Sequence, residues 1–444
     1  MSRLAPTHAR SGPSPSSKRS ASNRLEVADR AAHDWYRFVL SFPPHLVRTY
    51  LDDFDIRPGG CVLDPFCGTG TTPVECKKNG FKSVGIEAHP MAHFASCTKL
   101  DWDIDADRLE RTGVEIAETV IGLLGSQGII DDPQPNLINE PPSSKILLSL
   151  PEEEFRLLLK DSISPLPLHK TLVLLRHIDR AEYGRDHLRL ALAKALVGTI
   201  SNLHFGPEVG VGPAKNDAPV VSTWLGIVLR FVQDLRSLQC RKNTSTVVHH
   251  ADSRLLTRLV RPGSIDAVIT SPPYPNEKDY TRTTRLESVI LGFFHDKKSL
   301  QALKRTMLRS NTRGVYKGDD DDSWVANHSE VQRIATEIEA RRIAMGKTSG
   351  FERLYARVTK LYFGGMARHL AELRPLLRPG ASLAYVVGDQ ASYLRIMIRT
   401  GQILGSIAEE LGYKVDRIDL FRTRLATATR EQLREEVVVL RWPG

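Results

Sequence analysis

The chain has 444 residues, and its 61 Lys plus Arg against 52 Asp plus Glu leave a formal net charge of +9. With 41% hydrophobic and 25% charged residues it is neither collagenous nor wholly disordered; its length fits two or three domains, or one large enzyme domain with insertions. No apolar run of membrane-spanning length and no secretory signal is expected, five cysteines (an odd number) favour a reducing cytoplasm over a disulfide framework, and the basic excess points to a polyanionic partner.

Residues 1–24 hold Arg3, Arg10, Lys18, Arg19 and Arg24 with seven serines and no acid, and read as a disordered basic tail. Residues 33–56 read as a helix, a turn at Pro43-Pro44 and a second helix. Cys61–Leu63 reads as a short buried strand. It enters the turn Asp64-Pro65-Phe66-Cys67-Gly68-Thr69-Gly70-Thr71-Thr72, and a helix follows to Lys78, closed by Asn79-Gly80. Ser83–Ile86 is a second strand, ending in Glu87. Strand, glycine-rich turn, helix, strand and acid open a doubly wound α/β sheet.

Residues 101–245 form a Leu-rich excursion, with helices at 105–123, 152–162 and 187–203 and a proline-marked loop spanning Pro133, Pro135, Pro141 and Pro142. The glycine- and proline-dense stretch 205–219 reads as irregular. A helix at 221–238 leads back to a third strand, Thr246–His250, and a fourth, Ile265–Ile269, which delivers Thr270-Ser271-Pro272-Pro273-Tyr274. A second excursion, 275–350, carries Asp319–Asp322, read as a solvated loop rather than a metal site. A helix at 351–376, a turn at Arg378-Pro379-Gly380, a fifth strand at Ser382–Val387 and a helix at 399–411 follow. Strands at 414–420 and 435–441 pair as a hairpin around an Arg- and Thr-rich loop.

Two positions carry chemistry. Two glycines directly after a buried strand let the backbone approach a ligand, and the next helix presents free N–H groups. The turn lacks Lys-Ser/Thr after its second glycine, so it is not a P-loop. An acid at Glu87 suits ribose hydroxyls, so the ligand reads as a nucleoside-like cofactor. At the second position, Ser271 Oγ and the Pro272 carbonyl supply two acceptors, and consecutive prolines hold the loop stiff. An exocyclic amine on a base is a weak nucleophile because its lone pair is delocalised. Acceptors on its N–H groups draw the nitrogen toward sp³ and take up developing positive charge. Tyr274 offers a flat face for a flipped base. Carbon-5 chemistry would want a Pro-Cys pair, and none of the five cysteines sits in such a loop. Their spacing fits no zinc site, and His249-His250 beside Asp252 reads as a strand end; no metal is expected.

The turn at Asp64–Thr72 resembles the S-adenosylmethionine-binding motif of the amino-directed (N4-cytosine/N6-adenine) bacterial DNA modification methyltransferases, with the Phe-x-Gly-x-Gly core standing as Phe66-Cys67-Gly68-Thr69-Gly70. That resemblance implies a Rossmann-like α/β sheet of seven mostly parallel strands with helical insertions. It implies S-adenosyl-L-methionine held by Asp64, Pro65, Phe66, Cys67, Gly68, Thr69, Gly70, Thr71 and Thr72. Glu87 would lie on the ribose, Asp252 on the adenine amino group, Asp64 on the cationic amino group, and the Phe38–Leu46 segment with Phe42 beside the methionine moiety. Ser271, Pro272, Pro273 and Tyr274 match the catalytic loop, and the leading serine favours cytosine N4 over adenine N6. Lys278, Arg282 and Arg285 are candidate phosphate contacts. Double-stranded DNA is the implied partner, and a cognate restriction endonuclease the implied companion. The domain reading is a tail at 1–24, the first part of the methyltransferase domain at 25–100, a helical insertion at 101–220 as candidate target-recognition region, and the second part at 221–444 with its own insertion at 275–350. The rival readings are an adenine N6 enzyme, an RNA base methyltransferase, and a catalytically dead nucleic-acid-binding subunit.

Overall fold

The computed structural model describes residues 25–38, 41–131, 147–205, 208–276, 278–425 and 432–444. The basic tail, the loop at Pro133–Pro142 and the tip of the C-terminal hairpin lie outside the described residues. Seven strands form one sheet: β1 (Cys61–Asp64), β2 (Lys82–Glu87), β3 (Thr246–His250), β4 (Ile265–Thr270), β5 (Leu377–Gly388), β6 (Lys414–Leu425) and β7 (Gln432–Arg441). Their order is β3-β2-β1-β4-β5-β7-β6. The pairs β1–β2, β1–β4, β2–β3 and β4–β5 are parallel, and β7 runs antiparallel between β5 and β6. Order reverses beside β1, and the carboxyl ends of β1, β2 and β4 face the crevice where such sheets bind ligands.

Period-two patterning dresses both faces of the sheet. Val62, Ile269, Ala384, Val386, Val437 and Val439 pack on Val47 and Tyr50 of the helix Pro44–Asp53. Leu63, Val268, Leu383, Tyr385, Val438 and Leu440 pack on the opposite face, against the helices Tyr355–Leu373 and Thr400–Glu410. A third core joins the first excursion to the sheet's flank. There Leu109, Leu174 and Leu190 share a cluster with Trp224, Phe231 and Leu235 of the helix Val221–Leu238 and with Met91 and Ala95 of Pro90–Leu100. That excursion is therefore bound to the sheet through continuous buried surface, each large buried side chain contributing about 1.5–3 kcal/mol. Among the described residues no helix is long and apolar enough to cross a membrane.

The structure departs from the sequence reading at several places. Residues 34–38 and 41–43 are not helical. A short turn at Arg30–His33 ends with Ala32 at φ +62°, and the chain then runs on so that Trp35 Nε1 donates to Asp234 at 2.7 Å and the Tyr36 hydroxyl donates to Glu287. Those long-range bonds override local propensity. The helix expected at 152–162 is only Glu152–Phe155, and the one at 187–203 is Arg185–Ala195 followed by a wider π turn to Ile200. The stretch read as irregular holds half of a two-stranded ribbon, Leu203–Phe205 against Val209–Val211. Strand β5 begins at Leu377, so Arg378-Pro379-Gly380 lies within it. Helices at Pro90–Leu100, Pro165–Asp179 and Ser329–Ala344 were not expected.

Asp319–Asp322 is not a solvated loop. Asp319 takes a bidentate pair from Arg309 at 2.8 and 2.7 Å. Asp321 is buried and pairs with Arg254 and, at 3.2 Å, with Arg368. The segment lies directly on the helix Tyr355–Leu373, where a Cβ on Gly364 would come within 1.9 Å of the Asp321 carbonyl oxygen. Consecutive acids were read as solvated because their partners are 10 to 67 residues away in sequence.

Candidate active site

The loop after β1 turns on two left-handed glycines, Gly68 (φ +53°) and Gly70 (φ +84°). They are there for different reasons. Around Gly68 a Cβ would meet open space, and the residue lines a cavity of about 450 Å³, within the range of small-molecule sites. At Gly70 a Cβ would stand 2.7 Å from Ser96 Oγ on the helix Pro90–Leu100. The loop is fastened from several sides. Glu87 at the end of β2 accepts from the Gly68 N–H at 2.8 Å and from the His89 N–H at 2.7 Å, and Ser96 Oγ donates to the Gly68 carbonyl at 2.9 Å. Lys99, buried, donates to the Thr69 carbonyl at 2.6 Å and to that of Tyr36 at 3.2 Å, tying the loop to the N-terminal segment.

Burial sets the protonation of these groups. It raises the Glu87 carboxyl to about 7, opposed by the His89 and Gly68 N–H bonds. It lowers the Lys99 ammonium to about 7 and the His89 imidazole to about 3. The cavity is lined by Phe38, Phe42, Pro65, Phe66, Cys67 and Thr69 on this side. Thr69 Oγ1 is buried without a hydrogen-bond partner among the described residues. A carboxylate, an unpartnered hydroxyl and a glycine with open space before it fit a cofactor that carries ribose and amine donors.

Asp64 is placed between the two loops rather than in the cavity. Its Oδ1 accepts from Thr270 Oγ1 at 2.6 Å and from the Phe66 N–H at 3.1 Å, and burial raises its carboxyl to about 6. Thr72 Oγ1 donates to the Ile269 carbonyl at 3.0 Å. Both bonds run from the cofactor loop to the end of β4, the strand that delivers Ser271.

Ser271, Pro272, Pro273 and Tyr274 line the same cavity as Glu87 and Gly68. Ser271 Oγ donates its proton to the Val386 carbonyl at 3.2 Å. The Tyr274 phenol stands beside the same hydroxyl, and the donation to Val386 leaves Oγ lone pairs on which an N–H can be accepted. Tyr274 lies against the end of β5, where a Cβ on Gly388 would approach its ring at 2.8 Å. Burial, with Glu435 adding, keeps its phenol protonated well above the usual range.

Residues 14–95 match the N6/N4 methyltransferase family model, described as DNA methylase. Over that segment the chain is similar to the amino-methyltransferases. It is 26% identical over 450 residues to Type II methyltransferase M.BsoBI of Geobacillus stearothermophilus, covering 93% of this chain and 84% of that protein. To Type II methyltransferase M.AvaI of Nostoc sp. it is 33% identical over 192 residues, 40% of this chain and 38% of that one. The crystal structure of TrmN from Thermus thermophilus aligns over 90% of this chain and 48% of that one, at 12% identity and a TM-score of 0.25.

Set on this geometry, the residues singled out in the sequence divide. Phe42, Pro65, Phe66, Cys67, Gly68, Thr69, Thr71, Glu87, Ser271–Tyr274 and Lys278 converge on the cavity. Asp64, Gly70 and Thr72 support it from behind. Asp252 does not reach it: Ala251 and Ser253 line the wall, while both Asp252 oxygens accept from Arg254, at 3.0 Å from Nε and 2.7 Å from Nη2. The Arg254 guanidinium two residues away takes up that carboxylate. Arg285 is also committed, donating to the Thr281 carbonyl at 2.9 Å and the Leu157 carbonyl at 3.3 Å, so it is a structural clamp rather than a phosphate contact. Arg282 is half-buried with Nε unpartnered among the described residues. Sequence reasoning missed Lys99, His89, Tyr280, Gln390, Phe421, Arg422, Arg424 and Glu435. The last five come from the end of β5 and the C-terminal hairpin, whose Arg-rich character was visible but whose position over the cavity was not.

Proposed function

We propose that this protein is a site-specific DNA methyltransferase that transfers a methyl group from S-adenosyl-L-methionine to the N4 amine of a cytosine flipped out of duplex DNA. The carrying observation is the disposition of Ser271: its proton is committed to the Val386 carbonyl, so Oγ meets an incoming amine as an acceptor. The Pro272 carbonyl is the second acceptor, and the two proline φ angles fix it in place. Together they orient the amine lone pair toward the cofactor side, where Gly68 and Glu87 lie in the same cavity. Bound there, the cofactor supplies an electrophilic methyl group. Glu87, Thr69 and the Gly68 backbone hold it, and Tyr274 stacks on the base. The leading serine of the loop supports cytosine. Names of the relatives, and the DNA methylase family match, support DNA over RNA. We read the excursions 101–220 and 275–350 as target-recognition material, Lys278 as a phosphate contact, and a restriction endonuclease as the companion of a Type II enzyme.

The test is to incubate the purified chain with unmethylated DNA and labelled cofactor, digest to nucleosides and identify the product by mass spectrometry. N4-methylcytosine is expected. N6-methyladenine would replace the cytosine assignment, and transfer to RNA alone would overturn the DNA reading.

A further inference from the structure

Strand β5 lies beside β4 in parallel register, Thr270 opposite Tyr385, so its carboxyl end accompanies the catalytic loop. Val386 takes the Ser271 proton on its carbonyl, Gly388 abuts the Tyr274 ring, and Gln390 stands two residues beyond the end of the strand. Gln390 lines the cavity and is only 3% exposed. Its backbone is fully engaged: the N–H donates to the Ile398 carbonyl at 3.1 Å and the carbonyl accepts from the Ile398 N–H at 2.7 Å. Its side-chain Nε2 is buried with no hydrogen-bond partner among the described residues. A rigidly held amide with an unmet donor, in a wall made by the catalytic loop, is costly unless a ligand meets it.

We propose that Gln390 reads the target base, its side-chain amide donating to the ring nitrogen next to the amine that is methylated. That nitrogen is N3 in cytosine and N1 in adenine, an acceptor in both, whereas the corresponding position of uracil or hypoxanthine carries a proton. The contact fixes the in-plane rotation of the base, which the stacking face of Tyr274 leaves free, and so carries the amine to Ser271 Oγ and the Pro272 carbonyl. This inference rests on the cavity receiving a flipped base. It assigns Gln390 to the base rather than to the cofactor, so cofactor binding is expected not to depend on it.

The test uses the full chain, unmethylated amplified genomic DNA and two variants, Gln390→Leu and the near-isosteric Gln390→Glu. At pH 8 both are expected to lose roughly 10–100-fold in kcat/KM for DNA, with the calorimetric affinity for S-adenosylmethionine within about twofold of the parent. A glutamate there donates only when protonated. Glu87, Glu208, Glu435, Lys278, Arg422 and Arg424 line the same cavity, so every rate is divided by the parent's at the same pH. On this scale the Glu variant regains activity several-fold between pH 8 and pH 6, and the Leu variant does not. That pH-dependent rescue distinguishes base reading from a merely structural role, and it decides the matter should the Leu variant fail to fold. A Leu variant within about threefold of the parent, a parallel loss of cofactor affinity, or a Glu variant flat with pH would each overturn the proposal for Gln390. A parent that methylates no DNA would instead overturn the reading of the cavity, and this inference with it.

Discussion

The two glycines of the cofactor loop separate a structural requirement from a binding one. Take Gly70→Ala first. At φ +84° a Cβ costs roughly 1–2 kcal/mol in backbone strain. The same Cβ would stand 2.7 Å from Ser96 Oγ, 3.3 Å from Ser96 Cβ and 3.4 Å from Ser96 Cα, part of a buried helix. Overpacking of that kind adds about 1–3 kcal/mol. The expected loss is roughly 2–5 kcal/mol, a drop in melting temperature of roughly 2–5 °C for a chain of this length. Gly68→Ala carries the strain of φ +53° but meets nothing within 4 Å, so its stability loss stays near 1 kcal/mol. Its methyl group enters the cavity, and cofactor affinity should fall at least tenfold, about 1.4 kcal/mol. Differential scanning fluorimetry and calorimetric titration with S-adenosylmethionine read the two quantities. A Gly70→Ala protein as stable as the parent, or a Gly68→Ala protein that binds cofactor normally, would refute the division.

Ser271→Ala removes one preorganised acceptor, so the single-turnover methylation rate should fall about 10²–10³-fold while cofactor affinity is unchanged; a near-normal rate would reduce the loop to a turn. Burial raises the Glu87 carboxyl from its ordinary 4.5 to about 7 in the folded chain, so the folded state holds a proton that the unfolded chain has already released. This group's contribution therefore favours the fold below about pH 4.5 and is lost as pH rises toward 7. Cofactor hydroxyls donate to the ionised form, so affinity should instead climb between pH 6 and pH 8. In Glu87→Gln that climb should flatten, and an unchanged pH profile in titrations would remove Glu87 from the ribose site. Asp321→Ala leaves Arg254 to Asp252 alone and should cost roughly 1–3 kcal/mol in chemical denaturation; a neutral result would mean the segment is held by the Arg309–Asp319 pair and the Gly364 contact.

Short buried strands ending in chemistry were the legible part of this chain. Cys61–Asp64, Lys82–Glu87 and Ile265–Thr270 are marked by β-branched or small residues and by the glycines, acid and prolines that follow, all within a dozen residues. What was illegible depends on partners far away in sequence. Arg254 withdraws Asp252 from the cavity through local geometry that its spacing from β3 does not reveal. The aspartate run finds Arg254 and Arg368 across 67 and 47 residues. The N-terminal segment is held in place by Asp234 and Glu287, 199 and 251 residues on. Helices such as Pro165–Asp179 escaped because buried residues fill most of their circumference, which blurs the periodic stripe.

Asp64 shows how the two loops act as one device. The resemblance assigned it to the cofactor's amino group, but its Oδ1 is spent on Thr270 Oγ1, and Thr72 at the other end of the same loop holds the Ile269 carbonyl. These two bonds span β1 and β4, which pair only through Val62–Ala267 and Leu63–Val268. A methyl transfer needs donor and acceptor aligned to within a few tenths of an ångström. The sheet register alone fixes the strands, not the loops that leave them. Cross-loop bonds at 2.6 and 3.0 Å close that gap, since displacing the cofactor loop would then drag the end of β4, and Ser271 with it. The second oxygen of Asp64 is buried and has no partner among the described residues. On the proposed function, a cationic group of the cofactor drawn toward that oxygen would tighten the same bridge and couple its binding to the alignment of Ser271.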